Sequence, residues 1–469
     1  MSLVLEQFLT PSLGDASYLI GDDSAHVCAI VDPQVDTARY IEAARQHGLA
    51  IRYVVQTHNH EDFVSGARAL AREAGGAELC LSGHDAPVYG FPHRAVHDGD
   101  CIALGAIRLT VRHTPGHTPE HIALVAAKDD EDGPFAVFSG GSLLAGTAGR
   151  TDLLGPERTD ELTRKQFETL QGVFLALDDG VLVYPTHVHG SPCGAAIGDR
   201  VVTSIAYEKA HNDLLRQPDA QAFRKAALAD LPPKPSYYPR LKERNEKDQP
   251  ESGGPGAIAA LPPERFAQAL ANESRVLVDT RHMLAFGGGH IRGALNIGAS
   301  GHLSIQAGWM LDPRKELLLV LEQDADAQTV LTHLARTGIE RFAGFLAGGM
   351  TAWQNAGLPL QALRQMHVQE LAQAVQEETP TLTVLDVRAP HEWKEGHVPG
   401  AMHVFLPELP DRLTGLPKDK PVAVYCDSGY RASLAASLLQ AHGFDARNVP
   451  GSWQAWQACG LPVEDAAGA

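Results

Sequence analysis

Two groups of residues in this chain have the types and spacing that chemistry requires. One is a cysteine in a loop that opens a helix; the other is a set of histidines at strand ends. Cys426-Asp427-Ser428-Gly429-Tyr430-Arg431 follows the apolar run Pro421-Val422-Ala423-Val424-Tyr425 and precedes Ala432-Ser433-Leu434-Ala435-Ala436-Ser437-Leu438-Leu439, which reads as a helix. A cysteine in that position sits among free backbone N–H groups at the positive end of a helix, and both favour the reactive thiolate. Arg431 adds a cation. The chemistry predicted is that of a sulfur nucleophile.

The histidines predict a metal. In Thr57-His58-Asn59-His60-Glu61-Asp62-Phe63, His58 and His60 lie two apart after the apolar Tyr53-Val54-Val55. On extended backbone that spacing sends both side chains to one side, which suits a shared ion. His113-Thr114-Pro115-Gly116-His117 puts another histidine in a Gly/Pro turn after a strand, and Tyr184-Pro185-Thr186-His187 does so again. A lone histidine is usually structural, but three such turns in one region are better explained by a common site. His121 and His189 are assigned to packing or hydrogen bonding, and His84, His93 and His97 to surface or loop positions.

The elements that must position these groups fall into three regions. At 469 residues the chain is too long for one hydrophobic core. Residues 1–230 alternate short apolar strands with turns and hold the histidine motifs. Residues 231–256, rich in proline and charge, read as a linker in which Tyr237 and Tyr238 require cover from a neighbouring domain. Beyond it lies a duplication, residues 257–362 and 363–469. Asp386 follows Asp279 by 107 residues, and the Gly-His pair at His397 follows that at His290 by the same 107. Strands alternate with helices in both copies, so each predicts a parallel sheet flanked by helices. Aligned on the second copy, Glu322 stands at the cysteine position and Ala327 at the arginine position. The first copy keeps the pattern without the nucleophile. Asp386 and Arg388 are expected to orient the loop, and His290 and His397 to be hydrogen-bonded structural residues near the domain surface.

Composition excludes several classes of function. A formal net charge of −18 with no basic stripe argues against binding nucleic acid or an anionic membrane. No apolar run approaches the roughly 20 residues of a membrane helix, and no secretory signal is visible, so a cytoplasmic location is expected. The 6 cysteines form no CxxC pair. They suit a reducing compartment, five of them as buried small hydrophobes.

The duplicated half resembles the rhodanese sulfurtransferase family. The resemblance rests on Asp386-Val387-Arg388, Gly396-His397-Val398-Pro399-Gly400-Ala401, the Cys426 loop and the terminal Trp456 motif. It implies that Cys426 carries a persulfide, assisted by Arg431, with the loop from Asp427 through Ser428, Gly429 and Tyr430 cradling its charge. The first region resembles the metallo-β-lactamase fold, an αββα sandwich, and within it the persulfide dioxygenase branch fused to rhodanese domains. Val137-Phe138-Ser139-Gly140-Gly141-Ser142-Leu143-Leu144 and Gly149-Arg150-Thr151-Asp152 add to that match. The fold class expected is therefore α/β multidomain, one such sandwich followed by two rhodanese-like domains.

The sequence departs from the resemblance at two metal positions: Phe63 replaces a histidine and Gly141 a carboxylate. A binuclear zinc hydrolase is disfavoured on that ground. What the resemblance leaves is His58, His60 and His117 for one ion, Fe(II) for a dioxygenase or Zn(II), with Asp62 and His187 lining the pocket. The partners implied are glutathione persulfide or another low-molecular-weight persulfide, O2, and sulfite or thiosulfate, and a homo-oligomer formed through the first domain. Two alternatives stay open: a sulfurtransferase whose first domain has lost its metal, and a zinc thioester hydrolase similar to glyoxalase II.

Overall fold

The computed structural model describes residues 3–85, 89–247, 256–377 and 381–465. It divides into two compact units, residues 1–256 with 335–338, and residues 257–334 with 339–469.

The first unit is a sandwich of two six-stranded sheets. In one sheet Leu3–Thr10, Asp15–Asp22 and Val27–Val31 pair antiparallel, and Ala50–Val55, Glu78–Ser82 and Arg94–Val96 continue it in parallel. The other runs Thr203–Ser204, Leu182–Pro185, Pro134–Gly140, Ile122–Lys128, Ile107–His113, Cys101–Leu104. Alternation along the strands sends Tyr18, Ile20, Val31 and Val55 from one sheet, and Leu109, Val111, Leu124 and Phe138 from the other, into a shared core. The opposite faces carry apolar residues too, so helices cover them: Ala38–Gln46 and Ala67–Glu73 on one side, Pro156–Thr169 and Ala220–Ala227 on the other. The αββα order follows from two sheets that are each apolar on both faces.

In the second unit both copies form a five-stranded parallel sheet with one strand order. The first sheet runs Ala260–Leu261, Phe342–Leu346, Leu317–Val320, Val276–Asp279, Leu295–Asn296, and the second Arg364–Gln365, Ala446–Asn448, Val422–Tyr425, Thr383–Asp386, Met402–His403. The duplication extends to single hydrogen bonds. Trp353 Nε1 donates to Pro359 O at 3.0 Å, and Trp456 Nε1 to Pro462 O at 2.8 Å. Arg281 grips Asp279 and donates to Gly289 O at 2.8 Å; Arg388 grips Asp386 and donates to Gly396 O, also at 2.8 Å. One apolar core runs through both copies, taking in Val278, Phe286, Ile297 and Leu319 of the first and Leu385, Leu406, Cys426 and Leu434 of the second.

Three expectations are corrected. The segment read as a linker begins as part of the first unit: Tyr238–Glu246 is a helix, with Tyr237, Tyr238 and Leu241 buried, while residues 248–255 of it lie outside the described residues. Its helical pattern is weak because only one narrow stripe of it is apolar. Cys101 and Cys459 are exposed, not buried. Cys101 begins an edge strand on its outward face, and Cys459 follows the last helix. His290 and His397 are buried rather than near the surface, stacked on Phe286 and Trp393. Among the described residues no helix is long and apolar enough to cross a membrane.

Candidate functional site

The Val422–Tyr425 strand is buried throughout and ends at Cys426, and the Tyr430–Ala441 helix begins four residues later. Between them the loop is turned by its carbonyls. Cys426 O accepts from Trp453 N at 3.0 Å, Asp427 O from Gln454 N at 3.0 Å, and Ser428 O from Gly451 N at 3.2 Å. These donors belong to the start of the Ser452–Ala458 helix, where they have no partner within the helix. In a planar trans peptide the N–H points opposite to the C=O, so the amides of Asp427, Ser428 and Gly429 point away from the Ser452–Ala458 helix. Gly429 N–H reaches Cys426 Sγ at 3.1 Å. One backbone donor thus reaches the sulfur at the start of the Tyr430–Ala441 helix, a place that favours negative charge. Ser452 Oγ accepts from Cys426 N at 3.1 Å, a support the sequence reading missed although Ser452 lies within the terminal motif it identified.

Arg431 is held by Glu392 at 2.6 and 2.7 Å, so its guanidinium is fixed beside the loop rather than free to swing. Asp427 accepts from Gln454 Nε2 at 2.7 Å. The silent copy also contributes. His282 meets the Tyr430 ring edge-on at 5.5 Å, and Met283 packs on Gly429. Gly429 has φ +111°, and a Cβ there would lie 2.9 Å from Met283 Sδ. Gly429→Ala should therefore strain the loop by about 1–3 kcal/mol and remove most sulfur transfer. A thiosulfate–cyanide assay showing unchanged turnover would contradict this.

In the first unit Asp32 organises the histidine turn from the end of its strand. Its carboxylate accepts from Thr57 N at 2.7 Å, Thr57 Oγ1 at 2.8 Å and Thr186 Oγ1 at 2.5 Å, joining two of the histidine motifs. Thr57 spends its proton on Asp32, so its oxygen accepts from His58 Nδ1–H at 2.9 Å, leaving a lone pair on His58 Nε2. His117 Nδ1 donates to Arg150 O at 2.9 Å, leaving Nε2 likewise. His187 Nδ1 lies 2.9 Å from Asp15 and 3.2 Å from Asp62. His60 turns Nε2 to Asp32 at 3.0 Å and stacks on Phe63. His121 is fully used, donating to Thr114 Oγ1 at 2.7 Å and accepting Gly141 N–H at 2.9 Å.

His58, His60, His117 and His187 are each at most 2% exposed. The Nε2 atoms of His58, His117 and His187, with Asp62 Oδ1 and Asp15 Oδ2, have no hydrogen-bond partner among the described residues. Such a concentration of buried polar atoms without partners costs free energy unless a ligand such as a metal ion engages some of them. Three imidazole nitrogens and a carboxylate fit a first-row divalent metal.

Candidate sets whose ligand atoms lie within 4.8 Å of one another are His58, His60 and His187; His117, His187 and Cys193; and Asp15, Asp62 and His187. The set expected from sequence, His58, His60 and His117, is not among them, and His187, expected only to line the pocket, is common to all three. The His117 ring packs directly on Gly141, where the resemblance expects a carboxylate: a Cβ there would lie 2.4 Å from His117 Cδ2. Burial lowers the pKa of His58 and His117 well below the ordinary value, with neighbouring imidazoles adding to it, which keeps both neutral. Burial works against charge on His187 as well, but Cys193, Asp62 and Asp15 outweigh it and raise its pKa.

The Tyr238–Glu246 helix closes this site. Asn245 donates to His60 O at 2.8 Å and Phe63 O at 2.9 Å, and Tyr238 Oη lies 3.4 Å from Cys193 Sγ. Lys242 faces Glu61, whose carboxyl burial pushes up to about 7.

Comparison with known proteins agrees with this division. The model of the metallo-beta-lactamase superfamily matches residues 13–187, and that of the rhodanese-like domain matches residues 262–356 and 367–459. Human mitochondrial persulfide dioxygenase ETHE1 is 30% identical over 193 residues, 40% of this chain and 70% of that protein. The cytoplasmic hydroxyacylglutathione hydrolase of Arabidopsis thaliana is 31% identical over 249 residues, 52% of this chain and 89% of that one. A crystal structure of a metallo-beta-lactamase from Staphylococcus aureus subsp. aureus COL superposes with a TM-score of 0.67 at 28% identity, covering 74% of this chain and 99% of that chain. The chain belongs to the metallo-beta-lactamase superfamily, with ETHE1-like persulfide dioxygenase homology in its first half and two rhodanese-like domains in its second.

Proposed function

We propose that this chain is an enzyme of sulfane-sulfur metabolism: Cys426 carries sulfur as a persulfide, and the first unit oxidises a low-molecular-weight thiol persulfide, such as glutathione persulfide, to sulfite. The observation that carries the first half is the Gly429 N–H on Cys426 Sγ at the start of the Tyr430–Ala441 helix. The thiolate attacks the outer sulfur of thiosulfate, the S–S bond breaks, and sulfite leaves with its electron pair. The enzyme persulfide then passes the sulfur to an acceptor such as cyanide, restoring the thiolate. The Gly429 amide and the helix start favour negative charge on the sulfur, and Glu392 keeps Arg431 in place beside the loop.

The orphaned imidazole nitrogens and the ETHE1-like homology support the second half. The balanced reaction takes one persulfide, one O2 and one water to one thiol, one sulfite and two protons. His58 and His117 stay neutral and offer lone pairs, Asp15 and Asp62 orient His187, and the covering helix limits water. Bound there, Fe(II) supplies redox and Lewis-acid chemistry, whereas Zn(II) supplies Lewis acidity alone. Iron-loaded full-length protein given glutathione persulfide should consume O2 and release equimolar sulfite. No O2 uptake, with sulfur transfer intact, would remove this half of the reading.

A second reading, sulfurtransferase alone, is favoured by Gly141, which offers no carboxylate and has the His117 ring packed on it. It predicts less than about a tenth of a metal per chain after expression with iron, read by mass spectrometry. A thioester hydrolase like the Arabidopsis relative is opposed by Phe63, which stacks on His60 where a further ligand is expected.

A further inference from the structure

We propose that Cys193 is a metal ligand of the first unit, completing with His117 and His187 a site that Gly141 leaves without its carboxylate. This rests on the reading that the first unit holds a metal. Cys193 is fully buried, and its sulfur, His117 and His187 offer ligand atoms within 4.8 Å of one another. The Nε2 atoms of both histidines are buried and unpartnered among the described residues. Each ring has its other nitrogen tied: His117 Nδ1 to Arg150 O at 2.9 Å, and His187 Nδ1 to Asp15 and Asp62. Backing of this kind fixes each ring with Nε2 turned inward, a lone pair at His117 and, at His187, a nitrogen whose proton a metal would replace.

The cysteine is placed as firmly. Arg150 N donates to Cys193 O at 2.8 Å, so one residue's N–H positions the cysteine while its carbonyl positions His117. Residues 149 and 194 form a β-bridge beside them. Cys193 N donates to Ser191 Oγ at 3.2 Å, and the thiol lies 3.7 Å from Asp62 Oδ2 and 3.4 Å from Tyr238 Oη. A cysteine kept only for packing requires no such company of polar groups. On metal binding the Cys193 S–H and His187 Nε2–H bonds break, metal–sulfur and metal–nitrogen bonds form, and two protons leave to solvent. A set of two imidazoles and one thiolate is softer than imidazole with carboxylate and shifts preference toward Zn(II).

The test strips full-length protein with a chelator and reloads it with one equivalent of Zn(II) or Co(II). X-ray absorption of the zinc form should show sulfur at about 2.3 Å together with imidazole. The cobalt form should show an intense near-ultraviolet thiolate-to-metal band, retained in Cys426→Ser and lost in Cys193→Ser. Metal bound through nitrogen and oxygen alone would overturn this assignment and leave the metal reading standing. Failure to bind either metal would overturn both. A sulfur signal that persists in Cys193→Ser would give the role to another cysteine. Should that variant fold poorly, the spectra of wild type and Cys426→Ser still decide whether sulfur outside the rhodanese loop binds the ion.

Discussion

Cys426→Ser should lower sulfur transfer from thiosulfate to cyanide by about three orders of magnitude or more, because the hydroxyl cannot form the enzyme persulfide. The substitution is nearly isosteric. Serine keeps the backbone that accepts from Trp453 and donates to Ser452, so the loop should hold its shape. The full-length variant should therefore unfold at the wild-type denaturant concentration and consume O2 at the wild-type rate when iron-loaded. If sulfur transfer survived, Cys459 or Cys193 would have to carry it. Loss of transfer accompanied by loss of stability would mean the cysteine acts through packing. Treatment with thiosulfate alone should add one sulfur atom to the wild-type chain by mass spectrometry and none to the variant.

Arg388→Ala should be the most damaging single change to stability. Arg388 is 2% exposed, grips Asp386 through Nε and Nη2, and donates to Gly396 O. Its guanidinium also lies 4.4 Å from the centre of the Trp453 ring. Alanine leaves the Asp386 carboxylate buried without its partner, a loss of about 3–5 kcal/mol. The double variant Asp386→Leu with Arg388→Met should recover much of this, since neither charge then remains in the core. Urea unfolding measures both, and a single-variant cost below about 1 kcal/mol would refute the assignment. The same grip between Arg281 and Asp279 in the copy without a cysteine shows that this pair builds the domain and takes no part in the chemistry.

The features that sequence exposed were those carried by local pattern. The 107-residue offset, the loop from Cys426 to Arg431 and the histidine turns each lie on a short stretch with fixed spacing. What stayed hidden depends on groups distant in the chain. Cys193 reads as a small hydrophobe until the fold sets it beside His117 and His187. Asp32 lies 25 residues before Thr57, and nothing in its own surroundings reveals that it anchors the turn. The Tyr238–Glu246 helix has a charged, proline-containing sequence typical of a linker, and its helical state is set by what it covers. Met283 and His282 approach the Cys426 loop from the silent copy, a contact that comparing aligned positions between copies cannot reveal.

The apolar core shared by the two rhodanese copies has an evolutionary consequence. After a duplication, catalysis needs one nucleophile, and the register corrects the position expected from sequence: Asp279 pairs with Val320 as Asp386 pairs with Tyr425, so Leu321, not Glu322, stands where Cys426 does. The interior is held in common, because Asn296 of the silent copy bonds Ser433 of the active one at 2.6 Å and their apolar residues share one core. The copy without a nucleophile is thus part of its sister's scaffold, and removing it would expose the core on which the active loop rests.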